Sequence, residues 1–170
     1  MKFQWFFLTV GYSGLFPKAP GTMGTIASLP LGIAILMYFG SQTLFLAAFL
    51  ITLIAIKSIN QYESTSNNHD DSRIVIDELA GMWFALSIAP GIGFNMAELF
   101  QWENGIAVQI LLSFVFFRIY DIRKPSIIGR IDRETKGGLG VMGDDIIAGF
   151  AAGITSALLW QAFLKIASFV

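Results

Sequence analysis

Gly143-Asp144-Asp145-Ile146-Ile147-Ala148-Gly149-Phe150-Ala151-Ala152-Gly153 places two adjacent carboxylates at the mouth of an apolar run that continues to residue 169. Crossing a bilayer takes roughly 20 apolar residues, with a range of about 17 to 25, and the stretch 146–169 meets that length. Carboxylates at membrane depth are expensive unless something positive holds them, so they are functional candidates by default. The stretch therefore reads both as a membrane helix and as one edge of a site. Two further charged phrases end apolar runs in the same way, Ile76-Asp77-Glu78 and Arg118-Ile119-Tyr120-Asp121-Ile122-Arg123-Lys124-Pro125. Five carboxylates beside fixed cations suggest a divalent metal and an anionic substrate at the membrane surface.

The composition agrees. Of 170 residues, 55% are hydrophobic and 14% charged, against about 25% charged in a soluble domain. One compact unit, residues 1–170, is expected, with the bilayer as its main solvent. The net charge of -1 says little, because the charges are clustered. With no cysteine there is no disulfide framework, thiolate metal site or cysteine nucleophile. Met1 to Phe16 lacks a basic segment followed by a small-residue cleavage site, so no cleavable signal peptide is expected. No nucleic-acid partner is expected either.

Apolar stretches at 26–39, 43–56, 74–90, 105–122 and 146–169 predict an all-α integral membrane bundle of about four or five spanning or partly spanning helices. The last two are comfortably long enough to cross and the third is a candidate as well. The first two are short, with Gly40-Ser41-Gln42 either the tip of a helical hairpin or the join between re-entrant or interfacial helices. Lys57 and Arg73 mark the loop 57–73, and Arg118, Arg123, Lys124, Arg130, Arg133 and Lys136 mark 118–136; Lys2 and Lys18 lie in the N-terminal stretch. The segment 91–104 has Glu98 and Glu103 and no basic residue. Positive charge favours the cytoplasm, so five crossings put 1–25, 57–73 and 123–145 inside. All three acidic phrases and Lys18 then share the cytoplasmic face.

Each phrase also has a bland reading. Asp77 and Glu78 could complement a helix dipole, but Asp70, Asp71 and Ser72 are better placed to cap. With Ser72 as cap, Asp77 lies about 7.5 Å further along, past the first turn. Asp144 or Asp145 could be an ordinary N-cap after Gly143, although two adjacent acids exceed what a cap needs and repel each other unless a hard cation relieves them. Arg118, Asp121 and Lys124 form a ladder three apart on one helix face. Basic anchoring at headgroup level explains Arg123, Arg130, Arg133 and Lys136, but not Asp121. Pro125 ends this helix and fixes where Lys124 points. Arg118 and Lys124 are suited to gripping phosphate.

The glycine-rich segment 137–143 is either a flexible loop or a phosphate cradle leading into a helix N-terminus; it lacks the Gly-Lys-Ser/Thr of a P-loop. Residues 17–25 read as a rigid turn delivering Lys18, with Thr22 or Thr25 capping the next helix or touching substrate. Gly149 and Gly153 form a GxxxG pair that would let the last helix approach its neighbours and bring Asp144-Asp145 near Asp77-Glu78. Trp83 and Trp160 read as packing or lipid-facing, and Trp5 and Trp102 as interfacial. His69, the only histidine, sits in a polar loop and is not expected to act in catalysis.

Taken together, four segments resemble the phosphatidylglycerophosphatase A family of bacterial inner-membrane enzymes. They are residues 11–25 (Gly-Tyr-Ser-Gly-Leu-Phe-Pro-Lys-Ala-Pro-Gly-Thr-Met-Gly-Thr), 75–81 (Val-Ile-Asp-Glu-Leu-Ala-Gly), 117–125 (Phe-Arg-Ile-Tyr-Asp-Ile-Arg-Lys-Pro) and 137–149 (Gly-Gly-Leu-Gly-Val-Met-Gly-Asp-Asp-Ile-Ile-Ala-Gly). The resemblance departs at Met23, where tryptophan is common, at Thr25, where serine is common, and at Ser126-Ile127, which replaces Trp-Pro. It implies an all-helical, multi-pass inner-membrane protein with its site facing the cytoplasm. It also implies magnesium-dependent removal of the terminal phosphate from phosphatidylglycerophosphate. In that expectation Asp77, Glu78, Asp121, Asp144 and Asp145 form the catalytic centre, with metal on Asp77, Glu78, Asp144 and Asp145. Lys18, Arg118, Lys124, Thr22 and Thr25 contact the phospholipid. The attacking group is either a water activated by the metal or one aspartate. Rival readings are a small ion or proton transporter and a structural membrane subunit. A transporter needs ionisable groups near the midplane, whereas these gather at one edge. A histidine-phosphate route has only His69, and the acidic pattern of the alcohol phosphatidyltransferases is absent.

Overall fold

Gly40 sets the path of the first long helix. The computed structural model describes residues 2–66, 71–90 and 94–169, without the side chains of Trp102 and Asp132. Among these residues every regular element is helical: α1 (Lys2–Leu8), α2 (Pro20–Ser66), α3 (Ile76–Ile88), α4 (Met96–Leu99), α5 (Ile106–Arg123), α6 (Ile127–Glu134) and α7 (Gly137–Ala167), with short 3-10 turns at Ser13–Leu15 and Trp102–Asn104. Within α2 the backbone at Gly40 leaves the helix (φ 81°, ψ 173°), an angle only glycine adopts without strain. A straight helix of this length would reach roughly 70 Å, yet Gly21 and Glu63, near its two ends, line the same cavity. The chain therefore doubles back at Gly40 into a helical hairpin. Its limbs, 20–39 and 41–66, run roughly 30 and 39 Å, longer than the apolar runs that predicted them. The expected loop 57–73 is helical as far as Ser66.

Among the described residues, α2 and α7 are the helices long and apolar enough to cross a bilayer; α5, expected to cross, is not one of them. The outward faces of α2 and α7 carry Leu46, Phe49, Leu50, Leu53, Leu158, Phe163 and Ile166, all exposed, which is the pattern of a surface whose solvent is apolar. The stretch 74–90, a candidate span by sequence, becomes α3, which is too short to cross at 13 residues, or about 20 Å. It is the hub of the bundle rather than an outer span, buried from Leu79 through Ser87. Phe84 stacks on Phe150 at 4.9 Å, and Phe45 meets Phe84 edge-on at 5.3 Å, tying the second limb of α2, α3 and α7 into one core. The Trp83 indole N–H donates to the Ser28 carbonyl at 3.0 Å and fastens α3 to the first limb.

Small residues let α3 and α7 touch. A Cβ on Gly149 would fall on the Gly81 carbonyl oxygen, and one on Gly81 would come within 2.6 Å of the Asp145 carbonyl and the Phe117 ring. This is the close approach the GxxxG pair predicted. On the other side, Ser156 Oγ donates to the Gln109 carbonyl at 2.9 Å and the Tyr120 and Thr155 hydroxyls share a 3.0 Å hydrogen bond, which docks α5 on α7. Trp83 and Trp160 are buried core residues. Trp5 packs rather than anchoring alone: its ring stacks on Tyr62 at 5.2 Å, beneath Arg73. His69, Asp70 and the Trp102 side chain lie outside the described residues.

Candidate active site

Five helix ends meet around one cavity of about 970 Å³. The N-terminal ends of α2, α3 and α7 contribute Pro20 and Gly21, Asp77 and Glu78, and Gly137 to Asp145; the late turns of α2 and α5 contribute Glu63 and then Arg118, Asp121 and Lys124. Three helix N-termini aimed at one space favour an anion there.

All five predicted carboxylates line it. Oxygens of Asp77, Glu78 and Asp145 lie within 4.8 Å of one another, and so do oxygens of Asp121, Asp144 and Asp145. Asp145 belongs to both triads. It is 3% exposed and Asp144 is 5% exposed. Among the described residues, Asp77, Glu78 and Asp145 have no basic side chain in ion-pair contact, while Asp121 and Asp144 do. Glu78 Oε2 is fully enclosed and accepts no hydrogen bond. Such an orphaned acceptor costs stability unless a ligand satisfies it. Its all-oxygen neighbours are the donor set a hard divalent cation takes, so the residues present fit the metal that the sequence implied.

The local reasons differ from those expected. Helix α3 starts at Ile76 with Val75 as an N-cap whose side chain makes no bond. Ser72 therefore caps nothing, and Asp77 and Glu78 sit in the first turn. There Asp77 Oδ1 accepts the Glu78 N–H at 3.0 Å. Helix α7 begins at Gly137, so the glycine-rich segment is helical and neither Asp144 nor Asp145 is an N-cap. One of its N-terminal N–H groups, that of Gly138, is already held by Asn60 Oδ1 at 2.7 Å. Glycine is needed there for contact: a Cβ at Gly138 would strike the Ile56 carbonyl, and one at Gly140 the Thr135 carbonyl.

Two cations pair with the acids. Arg118 Nη1 lies 2.7 Å from Asp121 and donates to Thr25 Oγ1 at 3.3 Å, while Arg118 Nε is enclosed with no acceptor. The ladder reading holds for Arg118 and Asp121 but not for Lys124. Ahead of Pro125, Lys124 caps α5 in the left-handed region (φ 43°, ψ 56°), and Nζ pairs with Asp144 at 2.7 Å instead. That conformation costs a non-glycine residue about 1–2 kcal/mol and points the ammonium across the cavity toward α7.

The remaining predicted contacts fall differently. Thr25 is buried inside α2, its hydroxyl bonded to the Gly21 carbonyl at 2.8 Å, so it orients Arg118 rather than capping. Thr22 is also inside α2, and neither it nor the exposed Lys18 is among the cavity-lining residues. Sequence reasoning missed Glu63 and Asn60, three apart on the last turns of α2, and treated Lys136 as an anchor although it lines the cavity. Polar residues recurring at helical spacing past an apolar run were the available signal.

The loop entering α3 is held by a bidentate pair, Arg73 Nε and Nη2 to Asp71 at 2.8 and 2.6 Å, joined by the Tyr62 hydroxyl at 2.9 Å. Arg73 holds the Asp71 carboxyl well below its ordinary range, and Asp71 in turn raises the guanidinium. The unfolded chain takes up this proton near 3.8, so the pair stabilises fully above that pH and loses its effect as pH falls through the lower folded value. Asp71→Asn is expected to lower the thermal midpoint at neutral pH and to leave it unchanged in strong acid, read by unfolding scans in detergent across pH.

Comparison with known proteins fits this arrangement. The family model described as phosphatidylglycerophosphatase A matches residues 6–160, which include every cavity-lining position. Phosphatidylglycerophosphatase A of Escherichia coli (strain K12) is 36% identical over 156 residues, covering 91% of this chain and 83% of that protein. Phosphatidylglycerophosphatase A of Haemophilus influenzae is 32% identical over 146 residues, covering 85% of this chain and 82% of that protein. No solved structure matches significantly. With its charged phrases assembled at one cavity and the match running over nearly the whole length, the chain belongs to the phosphatidylglycerophosphatase A family.

Proposed function

We propose that residues 1–170 form one multi-pass unit of the bacterial inner membrane that hydrolyses the terminal phosphomonoester of phosphatidylglycerophosphate at the cytoplasmic edge, using magnesium. One observation carries the reading. Two residues lining the cavity each hold a buried side-chain atom with no partner, the anionic acceptor Glu78 Oε2 and the cationic donor Arg118 Nε. A site awaiting a cation and an anion together suits a metal and a phosphate. The family match and the exposed apolar faces of α2 and α7 support the substrate class and the membrane setting.

Asp77, Glu78 and Asp145 would hold the metal, with Asp121 and Asp144 as the adjoining oxygens. When bound, the ion supplies positive charge against the phosphate oxygens. Arg118 and Lys124 bind the remaining phosphate oxygens, leaving their carboxylate partners as the phosphate enters, and Thr25 keeps the guanidinium in line. In the reaction the phosphorus–oxygen bond to glycerol breaks, a new phosphorus–oxygen bond forms, and the leaving oxygen takes a proton. Electrostatic positioning dominates such transfers. Radiolabel trapped on acid-denatured protein identifies an aspartyl phosphate; its absence assigns the attack to water.

The transporter reading is disfavoured because the five clustered carboxylates and their cations collect at one end of the bundle, opposite the Gly40 tip. The direct test is phosphate release from phosphatidylglycerophosphate in detergent, with magnesium and then with chelator. Release with magnesium and none with chelator is expected; no release under either condition discards the proposal. Lys124→Gln is expected to lower kcat/KM about a hundredfold in the same assay. Thr25→Val, which leaves the Asp121 pair intact, is expected to lower it only about three- to tenfold.

A further inference from the structure

A second cavity, about 530 Å³ and purely apolar in its lining side chains, lies along the bundle from the charged one. One wall is a stripe on α2, Ile26, Leu29 and Ile33; the other is a stripe on α5, Ala107, Ile110, Leu111 and Phe114; Leu99 and Phe100 close the far end. Both stripes repeat at helical spacing, so they form a groove running parallel to the two helices.

Its near end meets the charged site. Ile26 follows Thr25, whose hydroxyl accepts from Arg118, and Phe114 lies one turn before Arg118 on α5. Along the helices, Phe114 stands about 6 Å from Arg118 and Ile26 about 7.5 Å from Gly21. A molecule with its phosphate among Arg118, Lys124 and the carboxylates thus has this groove directly behind it. Nothing in the groove can bind a polar group, and Ile26, Leu111 and Phe100 are exposed along its mouth, open to a chain arriving from the side.

We propose that the groove holds one acyl chain of the lipid whose terminal phosphate enters the carboxylate cavity. The inference rests on the lipid phosphatase reading and adds how the substrate is registered: the phosphate fixes one end and α2 and α5 fix the chain behind it. An acyl chain leaving bulk lipid gains little from apolar transfer. The groove therefore acts through packing and orientation, which appears as a preference for long-chain substrate.

Two measurements test it on the full chain in detergent. The first uses phosphatidylglycerophosphate carrying a photoreactive diazirine in one acyl chain. Label is expected on residues 26–33 and 107–114, displaced by excess unlabelled phosphatidylglycerophosphate but not by phosphatidylcholine. Label scattered over the outer faces of α2 and α7, or displaced equally by both lipids, would mean ordinary lipid contact and overturn the proposal. The second compares kcat/KM for long-chain and dihexanoyl substrates. Leu29→Trp, filling the groove, is expected to cut the long-over-short preference about tenfold. Leu158→Trp, on the exposed face of α7, is expected to leave that preference unchanged. An unchanged preference in Leu29→Trp, in protein that stays monodisperse and helical, would also overturn it. If the unaltered protein releases phosphate from neither substrate, the phosphatase reading fails instead, while the labelling pattern still judges the groove.

Discussion

Asp145→Asn is expected to lower kcat/KM for phosphatidylglycerophosphate by roughly a thousandfold or more. The substitution keeps the shape of the side chain and removes one charge. Asp145 is almost completely buried and has an oxygen within 4.8 Å of ligand atoms in both carboxylate triads. Among the described residues no other side chain serves both, so its loss weakens both at once. The same change relieves repulsion among carboxylates packed together in a low-dielectric space. Metal-free Asp145→Asn protein should therefore unfold at a higher temperature than the unaltered protein. Activity lost while stability rises marks a residue kept for chemistry rather than for folding. Phosphate release and thermal scans on one preparation check both halves, with Glu103→Gln, an exposed acid in the 3-10 turn before α5, as the unaffected control. Turnover within threefold of the unaltered protein would remove Asp145 from the catalytic centre.

Gly149→Val should damage the protein in the opposite sense, lowering stability and turnover together. Any Cβ at this position falls on the Gly81 carbonyl oxygen, and backbone cannot yield as a flexible side chain does. Overpacking of this kind costs about 1–3 kcal/mol, occasionally more. Relief comes only by moving α7 away from α3, which draws Asp145 from Asp77 and Glu78. Denaturation in detergent and phosphate release should therefore fall in step. A variant with unaltered stability and full turnover would show that α3 and α7 do not meet at these glycines.

The candidate site was legible because a carboxylate at the end of an apolar run demands a reason. Asp77, Glu78, Asp121, Asp144 and Asp145 each stood out on that ground, and they line one cavity. The Gly149–Gly153 pair pointed correctly to the helix contact that joins them. Helix starts were harder. Val75 and Lys136 carry no side-chain cap, and the glycine run 137–143 has the composition of a loop. It is helical with Gly138 fitted against the Ile56 backbone, a tertiary contact that overrides propensity. Lys124 was assigned the wrong partner because a left-handed residue leaves the helical ladder, which spacing alone does not reveal. Glu63 and Asn60 were hidden by ending α2 too early. The acyl groove depends on which stripes of α2 and α5 face each other, a property of packing rather than of either segment.

The proposed chemistry requires side chains from separate helices to share one divalent cation. Manganese titration followed by electron paramagnetic resonance, in detergent and without substrate, tests it directly. Saturable binding to the unaltered protein is expected, weakened at least about tenfold by each of Asp77→Asn, Glu78→Gln and Asp145→Asn and unchanged by Glu103→Gln. Absence of saturable binding, or equal affinity in all five proteins, would contradict the account.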